Sequence, residues 1–128
     1  MNAKIQSKIV EISKALVSIP HGKNKHFSFI VKRNNILSIG WNDYTKTHPM
    51  AKENGCLFGS IHSELSAVVR FSGKISDLQK CTLINTRVNT HHKFGMSKPC
   101  HSCQQLIMRI GFKEVWYTDW NGIFRKMV

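Results

Sequence analysis

The chain has 128 residues, 41% hydrophobic and 20% charged, which fits one ordinary globular domain, 1–128, able to bury a core without staples. Nineteen Lys and Arg against seven Asp and Glu give a net charge of +12, a surface that attracts polyanions, nucleic acid first among them. No apolar run approaches a membrane span, and residues 1–8 lack the apolar core of a signal peptide, so a cytoplasmic protein with no membrane contact is expected.

In chain order, Ile5, Ile9, Ile12, Leu16 and Ile19 recur every three or four positions, which predicts an amphipathic helix over 3–19, ended by Pro20 and Gly22. Residues 27–31 and 36–41 read as two strands of a hairpin around the turn Arg33-Asn34-Asn35. A long polar loop, 42–60, follows. A second helix is expected from about Ile61 to Phe71, carrying Leu65, Val68 and Val69, with Gly73 stopping it. Residues 81–88 form the next strand, and a basic loop, 89–98, holds His91 and His92. Pro99 is expected at the first position of a third helix, where its missing N–H costs nothing; Leu106, Ile107 and Ile110 give that helix its buried face and Gly111 its end. A strand at 112–118 and a last one at 123–128 flank Asn121-Gly122, a dipeptide that readily takes the positive φ of a hairpin turn. The order α-β-β-α-β-α-β-β predicts a sheet sandwiched by helices.

Two segments carry the chemistry: His62-Ser63-Glu64 and Lys98-Pro99-Cys100-His101-Ser102-Cys103. Cys100 and Cys103, at i and i+3, share a helix face and can grip one ion, and a helix N-terminus lowers thiol pKa values. With His62 they make a His/Cys/Cys set for one Zn2+ per chain that leaves the fourth tetrahedral position to water, as catalytic sites do and structural sites do not. Such a zinc lowers the pKa of its water towards about 7, so hydroxide forms at neutral pH. Glu64 stands where it could take that proton, pass it to a ring nitrogen and then protonate a departing amine. Hydroxide attack on an amidine-like ring carbon, with ammonia leaving, is the natural reaction. The competing readings are a redox Cys-x-x-Cys pair and a carboxylate merely favoured by a helix start. Cys56 and Cys81 read as small, partly buried thiols.

His-x-Glu followed by Pro-Cys-x-x-Cys resembles the signature of the zinc-dependent cytidine/deoxycytidylate deaminase superfamily, and the resemblance extends over almost the whole chain. It implies an α/β fold: a three-layer α-β-α sandwich with a mixed five-stranded sheet and helices on both faces. It matches His62, Cys100 and Cys103 to the metal ligands and Glu64 to the proton-shuttling acid. Relatives also place an Asn after the second strand's Gly to contact the substrate's sugar, and Gly40-Trp41-Asn42 matches; the alternative for Asn42 is a plain turn residue. Two departures put new groups at the site. Lys98 stands where relatives carry the Glu of Glu-Pro-Cys, and Ser63 where alanine is common. Ser63, Lys98, Asn42 and the loop residue His48 are the candidate substrate contacts. A hairpin at Asn121-Gly122 would make the last strand antiparallel, resembling the free-nucleoside and bacterial-toxin branches; a parallel one would resemble the deoxycytidylate, tRNA-adenosine and polynucleotide-editing branches. No further helix signal follows that strand, whereas many nucleotide and tRNA deaminases carry extra C-terminal helices.

The leading expectation is a hydrolytic deaminase converting cytosine to uracil in a nucleoside or nucleotide, with Lys46, Lys98 or Arg87 available to a phosphate. The alternative acts on bases in single-stranded DNA or RNA, the +12 charge tracking the backbone. The third, a zinc-stabilised binding module, gives no reason for Glu64. His101 is expected to face away from the metal, His91 and His92 to lie on the surface, and Trp41, Trp116 and Trp120 to serve the core or hairpin, one of them alternatively stacking on a base. Relatives are often oligomers that complete one another's pockets, so the resemblance implies a homo-oligomer.

Overall fold

The computed structural model describes residues 1–17, 24–42 and 62–128. The expectations placed on Pro20, Gly22, Lys46, His48, Cys56 and Ile61 lie outside them.

Helix α1, Ala3–Leu16, starts at Asn2, whose Oδ1 accepts from the Lys4 N–H at 2.7 Å, and closes on Val17. The predicted last position, Ile19, lies outside the described residues. Strands β1 (Asn24–Lys32) and β2 (Asn35–Trp41) pair antiparallel around the two residues 33 and 34. Arg33 takes the left-handed conformation there, φ 58°. Helix α2 is Ser63–Arg70, with His62 as its extended N-cap. It stops one residue before the predicted Phe71, which is extended. A 3₁₀ turn, Ile75–Lys80, follows where no element was predicted; it buries Leu78 and is tied by the Lys74 N–H donating to Asp77 Oδ2 at 3.0 Å.

Strand β3 is Thr82–Asn89, helix α3 His101–Ile110, and strands β4 and β5 are Glu114–Thr118 and Phe124–Lys126. Cys100, not Pro99, borders α3: its backbone is extended (ψ 168°) while its carbonyl already accepts from the Gln104 N–H at 2.8 Å. Pro99 therefore precedes the cap instead of opening the helix, and the thiol gains the cap position. Gly111 ends α3 in the left-handed region, φ 78°.

The sheet has five strands in the order β2-β1-β3-β4-β5. Only β3 and β4 are parallel; β5 runs antiparallel to β4. The turn between them is pinned by Asp119, whose Oδ1 accepts from the N–H groups of Asn121 (2.8 Å) and Ile123 (3.0 Å). Gly122 alone carries the positive φ, 78°.

Strand alternation sorts the side chains between two layers. Phe27, Phe29, Val31 and Ile84 pack with Ile5 and Ile9 of α1 on one face. Ile30 and Leu83 pack with Leu65, Ala67, Leu106 and Ile107 of α2 and α3 on the other. The chain is thus an α/β sandwich with a mixed sheet covered on both faces. None of its described helices is long and apolar enough to cross a membrane.

Candidate metal centre and its carboxylate

The two segments singled out in the sequence meet at the N-termini of α2 and α3. His62 caps α2 through its backbone, with no side-chain capping bond, so the imidazole is available to other partners. Cys100 caps α3 and Cys103 lies one turn on. His62 Nδ1 sits 3.4 Å from Cys100 Sγ and 3.2 Å from Cys103 Sγ, and the three donor atoms all lie within 4.8 Å of one another. Zinc–nitrogen and zinc–sulfur bonds of about 2.0 and 2.3 Å at a tetrahedral angle put N and S about 3.5 Å apart. The set therefore fits one zinc ion in both spacing and donor type. Cys103 is buried and Cys100 exposed, so the centre opens to one side.

The electrostatics are those of an imidazole–thiolate cluster. Hydrogen bonding from Cys103 and then His62 brings the Cys100 thiol down to about 3. The bond to Cys100 raises the His62 pKa against the opposing effect of burial. Deprotonated thiolate is the form a metal takes.

Glu64 is 6% exposed and burial pushes its carboxyl pKa up. Both of its oxygens are engaged: Ser63 Oγ donates to Oε1 at 3.0 Å and Asn85 Nδ2 donates to Oε2 at 3.1 Å. Asn85 also donates to the Ser97 carbonyl at 3.2 Å, and its Oδ1 accepts from Ser28 Oγ at 2.6 Å. Ser28 Oγ in turn stands 2.8 Å from Ser63 Oγ. Ser28 and Asn85 are direct cross-strand partners of β1 and β3, which is why their short side chains reach each other.

Gly40 makes this close approach work. A Cβ there would stand 2.2 Å from the Ala67 nitrogen and 2.3 Å from the Ser63 carbonyl oxygen. Only a glycine lets β2 lie against the first turn of α2, with Ser38 Oγ donating to the Ala67 carbonyl at 2.7 Å.

Of the candidate substrate contacts, Asn42 is half-buried and its Oδ1 accepts from the His26 N–H at 3.2 Å. Ser63, expected beside the substrate, is buried with its hydroxyl against Glu64 and Ser28. Lys98 is exposed, its ammonium 5.9 Å over the Tyr117 ring. His48 lies outside the described residues. His101 is exposed and its Nε2 pairs with Gln105 Nε2 at 3.1 Å, apart from the ligand set. His91 and His92 are exposed. Trp41 lies under the Arg70 guanidinium at 3.9 Å, Trp116 Nε1 donates to Glu114 Oε2 at 2.8 Å, and Trp120 is 74% exposed.

Sequence reasoning passed over His26, Ser28, Asn85 and Ser97. His26 pairs with Arg87 across β1 and β3 on the face that holds His62; burial first, then the charges of Arg87 and His62, lower its pKa to about 4. The signal for Asn85 was present. An Asn inside the branched run Leu83-Ile84-Asn85-Thr86 is a residue that strands disfavour.

Two solved structures share the fold. The crystal structure of dCMP deaminase from the cyanophage S-TIM5 in complex with dCMP and dUMP matches with a TM-score of 0.55 and 22% identity, over 93% of this chain and 84% of that one. The apo form of the same enzyme matches with a TM-score of 0.55 and 23% identity, over 93% and 86%. No curated protein sequence matches. The cytidine and deoxycytidylate deaminase zinc-binding region matches residues 4–119, a span that takes in both halves of the centre and most of the sheet, and the chain therefore belongs to that family.

Proposed function

We propose that the protein is a zinc-dependent hydrolytic deaminase that converts cytosine to uracil in a nucleoside or nucleotide. The observation that carries this is the convergence of His62, Cys100 and Cys103 within 4.8 Å, next to a buried carboxylate in the first turn of α2. His62, Cys100 and Cys103 would hold the zinc, which when bound supplies a Lewis acid able to acidify water near neutral pH.

Glu64 accepts a proton from the attacking water, delivers it to the ring nitrogen and later protonates the leaving amine. Its raised pKa suits a group that must hold a proton between those steps. Asn42, steadied by the His26 N–H, presents its amide to the sugar. Lys98 and Arg87 are the cations available to a phosphate among the described residues, Lys46 lying outside them. Deoxycytidylate is the first substrate to try, because the S-TIM5 enzyme of the same fold binds dCMP and dUMP. The antiparallel β5 resembles the free-nucleoside and bacterial-toxin branches and not the deoxycytidylate one, so cytidine, deoxycytidine and an oligonucleotide are tested beside dCMP.

A second reading, deamination of single-stranded DNA or RNA, draws on the +12 charge and on the exposed Trp120. An aromatic platform beside basic residues suits stacked bases and a phosphate track.

The test incubates zinc-loaded protein and its Glu64→Gln variant with cytidine, deoxycytidine, their monophosphates and a cytosine-bearing single-stranded oligonucleotide, reading uracil by mass. Conversion of small molecules by the parent, with Glu64→Gln inactive and still zinc-bound, supports the proposal. Conversion of the oligonucleotide alone moves the function to the second reading. Unchanged turnover in Glu64→Gln overturns the role of the carboxylate.

A further inference from the structure

Asn85 is out of place by every local rule. It lies in the central part of the sheet, 2% exposed, within a run that otherwise favours apolar branched residues. A buried carboxamide costs stability unless its donors and acceptor are all satisfied. Here they are, and the partners are informative. One side chain joins Glu64 on α2, the Ser97 carbonyl three residues before Cys100, and Ser28 on β1.

We propose that Asn85 is the positioning residue of the reaction: it fixes the Glu64 carboxylate relative to the segment that delivers the cysteine ligands. The inference rests on Glu64 being the proton-transferring acid. A carboxamide suits the task because it offers two N–H donors and one carbonyl acceptor in a single plane. The two donors grip the carboxylate and the Ser97 backbone, 3.1 and 3.2 Å away. The acceptor is locked from the far side by Ser28 at 2.6 Å, so the amide cannot flip without losing all three bonds. Ser97 is itself fixed: its Oγ donates to the Asn85 carbonyl at 2.9 Å and accepts from the Thr118 N–H at 2.7 Å. Asn85 thus refers the carboxylate to a rigid part of the β3–β4 frame. Groups that orient a site from behind typically change activity by about 10–100-fold when removed.

The experiment replaces Asn85 by Leu, which is close in shape but has no donor or acceptor, and Ser28 by Ala, which removes the lock on Asn85 together with the hydroxyl facing Ser63. Parent, both variants and Glu64→Gln are compared for kcat and KM on deoxycytidylate, for zinc content, for melting temperature, and for the visible spectrum of the Co2+-substituted protein. For Asn85→Leu, kcat should fall about 10–100-fold with KM within about twofold, while zinc content and the Co2+ spectrum match the parent. Ser28→Ala should move kcat in the same direction by a smaller factor, which keeps the test decisive if Asn85→Leu does not fold. A parent-like kcat in Asn85→Leu, or a loss that comes with an altered Co2+ spectrum or lost zinc, overturns the proposal and makes Asn85 a purely structural residue. If Asn85→Leu fails to fold and Ser28→Ala keeps the parental kcat, the proposal is likewise overturned. Full activity in Glu64→Gln instead overturns the underlying reading of the acid, an outcome separate from the other two.

Discussion

His26 makes the fold sensitive to mild acid. Burial and the neighbouring charges of Arg87 and His62 hold its imidazole at about 4, against an ordinary 6.5. Because the unfolded chain takes up the proton first, stability is complete above pH 6.5 and falls as pH drops towards 4. From those two values the loss between pH 7.5 and pH 5 is about 2 kcal/mol, most of it below pH 6. The perturbation is His26→Gln, which keeps a polar side chain and the backbone N–H to Asn42 but cannot titrate. Urea unfolding of both proteins, without metal, at pH 7.5 and pH 5 gives the two differences in stability. Metal-free conditions matter because zinc loss at low pH would otherwise add to both. His62, whose pKa is raised, titrates in the opposite sense in both proteins and largely cancels between them. The parent should lose about 2 kcal/mol more than His26→Gln on acidification. Equal losses, to within about 0.5 kcal/mol, would refute the argument that His26 is held neutral by its surroundings.

Two further outcomes follow from the geometry. Gly40→Ala drives a Cβ against backbone atoms of Ala67 and Ser63, which cannot rotate away; a cost of about 3 kcal/mol, or roughly 10 °C in Tm, is expected by thermal melting, and an unchanged Tm would sink the account of why β2 can lie on α2. In metal-free protein Cys100, exposed and with its thiol down at about 3, should alkylate with iodoacetamide at a rate that stays flat from pH 5 to 8, mapped by peptide mass. An ordinary thiol would climb about tenfold per pH unit over that range, and zinc should protect the residue.

The convergence of His62, Cys100 and Cys103 was legible because metal binding demands particular side chains at particular spacings, and those spacings survive whatever the fold does between them. The long α1 was legible from its apolar period, and the β4–β5 hairpin from Asn121-Gly122, although Asp119 and Gly122 do the turning. The short elements were not. The 3₁₀ turn Ile75–Lys80 buries Leu78 but leaves Ile75 54% exposed, so it has no periodic signature. Pro99 was expected to open a helix, a position that proline favours, but the cap falls one residue later at Cys100, whose carbonyl takes the first helical bond. The carboxylate's partners were hidden for a different reason. Ser63 and Asn85 are 35 and 57 positions from Ser28 in the chain, and the three meet only because β1 lies between β2 and β3. No spacing within one element could announce them.

The same cluster shows what a serine between His62 and Glu64 can do, given the acid role proposed for Glu64. Ser28 Oγ contacts both Ser63 Oγ (2.8 Å) and Asn85 Oδ1 (2.6 Å), and Ser63 Oγ contacts Glu64 Oε1 (3.0 Å). Those three contacts have only two hydroxyl protons between them. With Glu64 ionised, Ser63 donates to the carboxylate and Ser28 to Asn85, and the two hydroxyls face each other without a proton between them. With Glu64 protonated, every contact is filled in one direction: Glu64 donates to Ser63, Ser63 to Ser28, and Ser28 to Asn85, while the Asn85 amide still donates to the other carboxyl oxygen. Rotation of one hydroxyl converts the first arrangement to the second. A carboxyl group that must take up a proton and give it back needs surroundings that accommodate both forms without moving heavy atoms. An alanine at position 63 would leave Oε1 without that partner in either form. If Glu64 is the acid proposed above, the buried hydroxyl of Ser63, held against Glu64 and Ser28, serves it in both forms.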